Sequence, residues 1–391
     1  MKQRIMGIFV AFIVMTSTFV YGNQPEAIVT STVPALSLSA KSAVVMEAGS
    51  GTIIYEKEKD KKLPPASVTK VMSLLLIFQE IDSGRLKLGD EVTVSEHAAS
   101  MGGSQVFLEP SEVQKVETLI KCVVISSAND AVVALAEHIA GSEEGFVKRM
   151  NKEAKKLGMN HTTFKNACGL DEKGHVTTAY DIALMSRELT TKHPDIFKYT
   201  KIWMDSFTHT TRKGTKEFSL SNTNKMIRQY NGCTGLKTGS TSVAKFCLSA
   251  TATRNGVDMI AVVMASDDSK ARIKDASALL DYGFANCQVV EDTISAKEIG
   301  KIPVIKGKKE TVSYPSEIKT KIINIKGDQK KIKKEIKIYP ITAPVKKGQR
   351  IGIIIYKRGE DVLIKKDIKA TENVEKMNYL SCLLKVAENF F

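Results

Sequence analysis

The alternation of apolar and polar residues divides the chain into a mixed region followed by a strand-rich one. Two β-branched runs, 42–47 and 52–56, flank Gly49-Ser50-Gly51 and predict a β-hairpin. Helical spacing and further strand-like runs follow. The patterns predict helices over residues 67–81, 116–126, 130–140, 143–157, 179–191 and 271–284, and strands over 235–238, 246–253 and 258–265. Strands at both ends with helices between them indicate one sheet covered by helices.

A second pattern begins at about residue 289, where short β-branched runs alternate with lysines. Runs at 321–325, 336–339 and 350–356 are separated by turn sequences and predict a small all-β domain with lysine along its strand edges. We therefore expect one domain over residues 38–287 and a β-rich domain over 288–370.

Residues 371–391 return to helical spacing, with an apolar side that includes Val374, Leu380 and Phe391. The segment predicts an amphipathic helix, and we favour an in-plane membrane anchor that meets the membrane surface. The same stripe also fits a helix packed on its own protein or a dimerisation surface.

The charge is concentrated in the β-rich region. The 391-residue chain has a formal net charge of +14, and residues 301–370 contain 20 Lys and Arg against 7 Asp and Glu. The first 300 residues are therefore close to neutral. A basic module of this kind suits nucleic acid, anionic lipid or acidic wall polymers, and a solvated lysine-rich surface explains the charge equally well.

The N-terminus indicates export. Lys2 and Arg4 precede an apolar run over residues 6–20 that ends near Gly22, which is the layout of a secretory signal peptide. We expect residues 1–22 to be removed and residues 23–37, rich in Thr, Ser and Pro, to form a disordered leader. Export argues against nucleic acid as a partner and places the protein on the outer face of the cytoplasmic membrane or in the cell wall.

Cysteine and histidine spacing predicts no metal site. The six cysteines are scattered without a CxxC pair, which favours small buried side chains, although Cys233 and Cys247 are candidates for a disulfide. The six histidines lack ligand spacing, and no cofactor motif or phosphate loop is present.

The chemistry of the chain centres on Ser67 and Lys70, which the predicted helix places on one face. A serine hydroxyl is a weak nucleophile until a neighbouring base takes its proton. Partial burial and a nearby Lys237 would lower the pKa of Lys70 and fit it for that role. A helix-capping serine and a surface lysine are the plainer interpretation of the same pair.

Two further motifs complete the candidate site. Ser127 and Asn129 lie at a junction between predicted helices, where Ser127 could pass a proton from Lys70 to a leaving amine and Asn129 could bind a substrate amide. Lys237-Thr238-Gly239 offers a charge and a hydroxyl to a terminal carboxylate, with Gly239 leaving room for substrate backbone. The backbone N–H groups of Ser67 and Ser240 could form an oxyanion hole.

In order and flanking residues these motifs resemble the low-molecular-mass penicillin-binding proteins, the serine D-alanyl-D-alanine carboxypeptidases. Matching stretches lie at residues 64–70, 127–131 and 235–241, with weaker ones at 169–175, 178–181 and 222–225. The resemblance implies an α/β fold of the serine β-lactamase type, helices around a central antiparallel sheet. It also implies removal of the terminal D-alanine from peptidoglycan stem peptides through a Ser67 acyl-enzyme, acylation by β-lactam antibiotics, and an Arg272 that helps hold the substrate carboxylate.

The chain departs from the family pattern after the third motif. Ser240 stands where a His or Tyr is common, and Lys245 stands where a glycine is common. These changes bear on rate and substrate preference. A serine β-lactamase is the nearest rival, but no ExxLN sequence supplies its deacylating glutamate. The motifs are also compatible with a non-catalytic wall-binding scaffold or with an endopeptidase that acts on cross-links.

Overall fold

The computed structural model describes residues 16–17, 36–211, 214–326 and 331–379. The chain forms two compact units, one from Thr32 to Cys287 and the other from the remaining residues on either side. Apart from residues 16–17, the predicted signal peptide lies outside the described residues. So do residues 23–35 of the predicted leader and residues 380–391 of the predicted tail helix.

The described strands are short to medium in length. In chain order they are β1 (Thr16–Ser17), β2 (Ser42–Glu47), β3 (Ile53–Lys57), β4 (Glu91–Thr93), β5 (Val113–Lys115), β6 (Met204–Thr211), β7 (Gly214–Ser221), β8 (Cys233–Thr241), β9 (Lys245–Arg254), β10 (Val257–Ser266), β11 (Cys287–Ser295), β12 (Val304–Ile305), β13 (Glu317–Ile325), β14 (Ile332–Ile338), β15 (Ile341–Thr342), β16 (Arg350–Arg358) and β17 (Asp361–Lys369).

Most of the described helices lie between β3 and β8. They are α1 (Lys70–Asp82), α2 (Glu96–Ala99), α3 (Val116–Ile125), α4 (Asn129–Ala140), α5 (Glu143–Lys156), α6 (Ala179–Lys192), α7 (Phe197–Thr200), α8 (Met226–Gln229), α9 (Ser269–Asn286) and α10 (Ala296–Ile299), with 3-10 turns at Ala66–Thr69 and Pro194–Ile196.

A five-stranded antiparallel sheet organises the first unit. Its strand order is β3-β2-β10-β9-β8, so the two terminal stretches of the unit meet in the middle of the sheet. Alternate residues of β2 face opposite layers. Val44 and Met46 join the core formed with the helices between β3 and β8, whereas Val45 lies beside Gly283 of α9. The predicted helix-flanked antiparallel sheet is confirmed.

The helical core of this unit is one continuous cluster of buried apolar side chains. Helix α1 runs through it, and Val71, Leu75 and Phe78 are fully or almost fully buried. Helices α3, α4 and α6 make the largest further contributions to this core. Because α1 is surrounded by other elements, the residue at its N-terminus is fixed in position by packing on all sides.

The β6–β7 hairpin was absent from the sequence-based prediction. Its two strands pair over their whole length, from Met204↔Ser221 to Thr211↔Gly214. The prediction failed because few of its side chains are buried, Phe207, His209 and Leu220 among them, so the alternation of apolar residues is weak.

The second unit is β-rich, as predicted. A four-stranded antiparallel sheet has the order β1-β14-β16-β17, and short pairs form between β11 and β13 and between β12 and β15. Its core contains Ile351, Ile354, Tyr356 and Ile368. The Tyr356 hydroxyl donates to Asp292 at 2.6 Å, which ties β16 to β11.

The tail prediction requires a correction at its start. Residues 371–378 are not helical. Val374 pairs with Val345 in an isolated bridge and is 1% exposed, and Lys376 pairs with Gly307. This part of the apolar stripe is therefore core of the β-rich unit. No helix within the described residues is long and apolar enough to cross a membrane.

The five described cysteines, Cys122, Cys168, Cys233, Cys247 and Cys287, are free thiols. Four are buried, and Cys233 is partly buried. The candidate disulfide between Cys233 and Cys247 is not formed. Burial raises the pKa of both thiols to about 11, so neither is a ready nucleophile.

The burial of α1 predicts a large cost for a cavity there. Leu75→Ala should lower the free energy of unfolding by about 3 kcal/mol, because a fully buried leucine is replaced by a residual cavity. Urea unfolding can be followed by the fluorescence of Trp203, the single tryptophan of the chain, which lies in the same unit. As a control, Leu88→Ala at a 37% exposed position should change stability by less than about 0.5 kcal/mol. Equal effects would contradict this description of the core.

Candidate active site

Ser67 and Lys70 meet where a 3-10 turn becomes a helix. Residues Ala66–Thr69 form the turn, and Lys70 is the first residue of α1. Because side chains three residues apart eclipse one another in a 3-10 turn, the two groups face each other. Lys70 Nζ lies 3.0 Å from Ser67 Oγ. The predicted pair is therefore assembled, although the segment begins as a 3-10 turn rather than as an α-helix.

Lys70 is fully buried and has three hydrogen-bond acceptors around its amine. Nζ donates to Ser67 Oγ, to Asn129 Oδ1 at 2.6 Å and to the Cys168 carbonyl at 2.8 Å. The Asn129 amide group donates to the Gly102 carbonyl, which fixes its oxygen toward Lys70. Of the three partners, the Ser67 hydroxyl alone can also donate. When Lys70 loses a proton, its lone pair can therefore accept a hydrogen bond from the Ser67 hydroxyl.

Burial prepares Lys70 to lose that proton. Desolvation lowers the pKa of the ammonium to about 8, against smaller opposing effects of Cys168 and Asp130. About one-tenth of the Lys70 side chains are therefore neutral at pH 7. No Asp or Glu of the described chain forms a hydrogen bond or ion pair with Lys70 or Ser67, so no carboxylate adjoins the nucleophile.

The second motif lies between α3 and α4. Ser127 has a left-handed backbone with φ of +63°, and its Oγ accepts a hydrogen bond of 2.9 Å from Lys237 Nζ. Within the described chain Ser127 is hydrogen-bonded to Lys237 rather than to Lys70, the partner that the sequence had suggested. A non-glycine residue in this conformation is strained, and such strain is concentrated at functional sites.

Lys237 brings a second amine into the same interior. It lies on β8, is 1% exposed, and also donates to the Thr238 carbonyl at 3.0 Å. Burial, together with the charges of Lys70 and Arg272, holds the pKa of Lys237 well below its usual value. An arriving carboxylate would favour the protonated form of Lys237, so binding an anion here partly restores its charge.

The strand β8 lies very close to the nucleophile turn at Gly239. A Cβ atom at this position would come within 2.9 Å of the Pro65 carbonyl and of the Ser67 and Val68 nitrogens. Glycine is therefore required here by the protein's own backbone. The next residue, Ser240, is exposed at the end of the motif.

Two side chains support this strand. The Thr238 hydroxyl donates to Thr223 Oγ1 at 2.8 Å, which links the third motif to the loop after β7. Arg272 of α9 is 8% exposed, and its Nη1 donates to the carbonyls of Gly239 at 3.2 Å and Cys247 at 3.3 Å. These contacts place Arg272 against the backbone of β8 and β9, where it supports the strand that carries Lys237.

A loop over residues 166–175 encloses α1 from the other side. A Cβ on Gly169 would lie 1.9 Å from the Ala66 carbonyl, so this glycine and the turn are in direct contact. His175 Nε2 lies 2.9 Å from Thr69 Oγ1, and Ser73 donates to the Ala167 carbonyl at 2.6 Å. Burial lowers the pKa of His175 to about 4, so the imidazole is neutral near pH 7 and has a structural contact.

Sequence reasoning missed the backbone part of the site. The carbonyls of Cys168 and Gly102 fix Lys70 and Asn129, and a carbonyl leaves no trace in residue type. The available sequence signal was the glycine at position 169, directly after Cys168, which adopts a φ of +89° in the structure. Taken together, the arrangement offers a hydroxyl nucleophile, a buried amine as its base and a second amine beside a strand edge. It can support acyl transfer to Ser67.

Comparison with known proteins identifies the family. A family model for D-alanyl-D-alanine carboxypeptidase, peptidase S11, matches residues 28–268, and a model for the penicillin-binding protein 5 C-terminal domain matches residues 292–376. D-alanyl-D-alanine carboxypeptidase DacF of Bacillus subtilis (strain 168) is 42% identical over 350 residues, which cover 89% of each chain.

Solved structures are similar over both units. Penicillin binding protein 5 from Haemophilus influenzae has a TM-score of 0.67 and 30% identity, covering 88% of this chain and 100% of its own. The peptidoglycan synthesis regulatory factor PBP3 from Streptococcus pneumoniae has a TM-score of 0.74 and 26% identity, covering 87% of this chain and 100% of its own. The chain belongs to the peptidase S11 family of D-alanyl-D-alanine carboxypeptidases.

Proposed function

We propose that this enzyme removes the terminal D-alanine from peptidoglycan stem peptides through an acyl-enzyme on Ser67, and that β-lactam antibiotics acylate the same serine. One observation supports this above the others. The buried Lys70 amine is held by two acceptors that cannot donate and by one hydroxyl that can, the hydroxyl of Ser67. A base so placed takes its proton from the nucleophile.

Acylation follows from these positions. Ser67 Oγ attacks the carbonyl carbon of the penultimate D-alanine while its proton moves to Lys70 Nζ. The developing oxyanion is stabilised by the backbone N–H groups of Ser67 and Ser240. Collapse breaks the peptide bond, and the leaving amine takes the proton that Lys70 gained from Ser67. For Ser127 to pass this proton on, its hydroxyl must turn toward Lys70 from Lys237, which donates to it at 2.9 Å. Asn129 holds Lys70 in place and presents its amide to the substrate backbone.

The terminal carboxylate of the substrate is assigned to β8. Lys237 supplies the charge and Thr238 the hydroxyl, and both are fixed by bonds to Ser127 and Thr223. Arg272 supports this strand by donating to the Gly239 carbonyl, and its positive charge helps to hold the substrate carboxylate. Recognition of an anion at this end explains why the reaction acts on a C-terminal residue.

Deacylation distinguishes peptide from antibiotic. In the peptide reaction the freed D-alanine leaves, and water enters and attacks the ester with Lys70 again as the base. In the β-lactam reaction the leaving amine stays tethered to the acyl group and occupies the water's path. Since no described carboxylate adjoins Ser67 to activate water, the penicilloyl-enzyme should persist, which disfavours the β-lactamase hypothesis.

Action on peptidoglycan places the enzyme on the wall side of the cytoplasmic membrane. We infer that the signal sequence at residues 1–22 directs export, and that the apolar stripe of residues 380–391 attaches the protein to the membrane surface. The β-rich unit carries most of the positive charge, which suits proximity to anionic lipid or acidic wall polymers.

Penicillin labelling tests the nucleophile. Incubation of the unmodified protein with penicillin should give a stable adduct in the intact mass, and Ser67→Ala should give none. Ser100→Ala, at an exposed serine of the same unit, should label like the unmodified protein. Rapid penicillin hydrolysis without an adduct would favour a β-lactamase. Absence of any reaction with penicillin or a D-Ala-D-Ala peptide would favour a scaffold.

The depressed pKa of Lys70 predicts the pH dependence of acylation. The base must be neutral, so the second-order rate constant for penicillin acylation should rise about tenfold per pH unit below pH 8 and level off above it. Stopped-flow measurement with a reporter cephalosporin between pH 6 and 9.5 gives the profile. Lys70→Arg, which stays protonated throughout, should acylate at least about 1000-fold more slowly. A flat profile for the unmodified enzyme would contradict Lys70 as the base.

Membrane attachment is tested at the tail. Deleting residues 380–391 keeps Val374, which belongs to the core of the β-rich unit, whereas a deletion from Thr371 would remove it. The shortened protein should move from the membrane pellet to the soluble fraction. A tail of the same composition with its apolar stripe rearranged should be released as well. If the shortened protein still sediments with membranes, the proposal that residues 380–391 attach it to the membrane is refuted.

A further inference from the structure

Phe107 combines two unfavourable features beside the active site. Its side chain is 61% exposed, and its backbone has a left-handed φ of +61°. A bulky side chain is rarely found in this conformation because its Cβ crowds the backbone. An exposed, strained aromatic residue contributes little to folding, so its presence invites a functional explanation.

The backbone on both sides of Phe107 is held by one buried carboxylate. Asp130, on α4 next to Asn129, is fully buried and accepts hydrogen bonds from the Val106 nitrogen at 3.0 Å and the Leu108 nitrogen at 3.1 Å. The Val106 carbonyl lies 2.9 Å from His209 Nε2 of the β6–β7 hairpin. The conformation of Phe107 is therefore imposed by its neighbours, which keep the ring outside the core.

The same segment lines the catalytic centre. The Gly102 carbonyl accepts a hydrogen bond of 2.6 Å from the Asn129 side chain, and the Ser104 carbonyl accepts one of 2.7 Å from the Asn129 nitrogen. A Cβ on Gly103 would lie 2.9 Å from Asn129 Nδ2 and 3.6 Å from Leu170. Asn129 also accepts a hydrogen bond from Lys70. The segment that carries Phe107 is therefore separated from the catalytic base by a single residue, Asn129.

Aromatic side chains of the hairpin support the ring from one side only. Phe107 meets Phe218 edge to face, with 6.1 Å between ring centroids. Phe218 in turn contacts Phe207 at 5.7 Å and His209 at 5.9 Å. These aromatic contacts fix the position of the Phe107 ring, and most of the ring surface stays accessible to a ligand.

We propose that Phe107 is a specificity-determining residue that binds the aliphatic side chain of the amino acid preceding D-Ala-D-Ala in the donor peptide. The inference rests on the proposed function. The substrate carboxylate is assigned to β8, and Asn129 is assigned to the substrate backbone. The upstream residue therefore leaves the catalytic centre along the 102–108 segment. An alkyl chain on a rigid aromatic face is a favourable apolar contact.

Two peptides and two variants test this proposal. Nα,Nε-diacetyl-L-lysyl-D-Ala-D-Ala carries a long aliphatic side chain, and acetyl-glycyl-D-Ala-D-Ala carries none. Phe107→Ala removes the ring and keeps the backbone strained, whereas Phe107→Gly removes the ring and relieves the strain. The preference is the ratio of kcat/KM for the two peptides. Leu88→Ala is the matched control at an exposed apolar residue.

In both variants the preference for the lysyl peptide should fall about five- to tenfold, because kcat/KM for that peptide falls. The value of kcat/KM for the glycyl peptide should stay within about twofold. Acylation by 6-aminopenicillanic acid, which has no acyl side chain, should also stay within about twofold. Leu88→Ala should keep the full preference.

Other results overturn the inference in different ways. If both Phe107 variants keep the full preference for the lysyl peptide, Phe107 does not bind the side chain that precedes D-Ala-D-Ala. An equal loss on both peptides assigns the ring to holding the hairpin against the site instead. If the unmodified enzyme cleaves neither peptide, the proposed function falls as well, whereas cleavage of both with an unchanged ratio in the variants refutes the specificity role alone.

Discussion

The buried amine of Lys70 makes three hydrogen bonds, and the catalytic unit is arranged around them. An ammonium group in an apolar interior is costly unless every proton has an acceptor. Here the acceptors come from the 3-10 turn, from α4 and from the loop after α5. Burial lowers the pKa of Lys70 toward neutrality, and the same three contacts direct its lone pair to Ser67. Stability and reactivity are thus consequences of one set of contacts.

The close approach of backbone segments makes this arrangement possible. Gly239 and Gly169 stand on opposite sides of the turn that carries Ser67, and a Cβ at either position would overlap it. These glycines let a strand and a loop reach the nucleophile from two directions. Because the turn is confined in this way, the Ser67 hydroxyl has little freedom, and the reacting geometry is prepared before substrate arrives.

Charge is distributed differently in the two units. In the catalytic unit two amines share the interior and each has a lowered pKa, so an anionic substrate meets a site that gains charge on binding. The β-rich unit instead displays lysines on its surface, many of them beside acidic partners such as Glu375 and Glu372. Surface pairs of this kind add little stability, and the excess of lysine leaves a basic exterior.

The sequence by itself determined the elements and the chemical groups. Helical spacing predicted α1, α3, α4 and α6, alternation predicted the sheet strands, and the order of Ser67, Ser127 and Lys237 indicated acyl transfer. Local patterns could do this because helix periodicity and nucleophile motifs depend on neighbours in the chain. The β6–β7 hairpin escaped because few of its side chains are buried, so its alternation of apolar and polar residues is weak. The extended start of the tail escaped because its pairing partners, Gly307 and Val345, lie in other parts of the chain.

Tertiary structure alone decided which groups meet. It paired Ser127 with Lys237 rather than Lys70, placed Arg272 against the backbone of β8, and brought the turn that carries Ser67 up to Gly239. It also joined Lys70 to the Cys168 carbonyl, 98 residues away. Contacts of this length depend on the packing of whole elements, and a carbonyl oxygen is the same in every residue, so no local sequence pattern could have specified them.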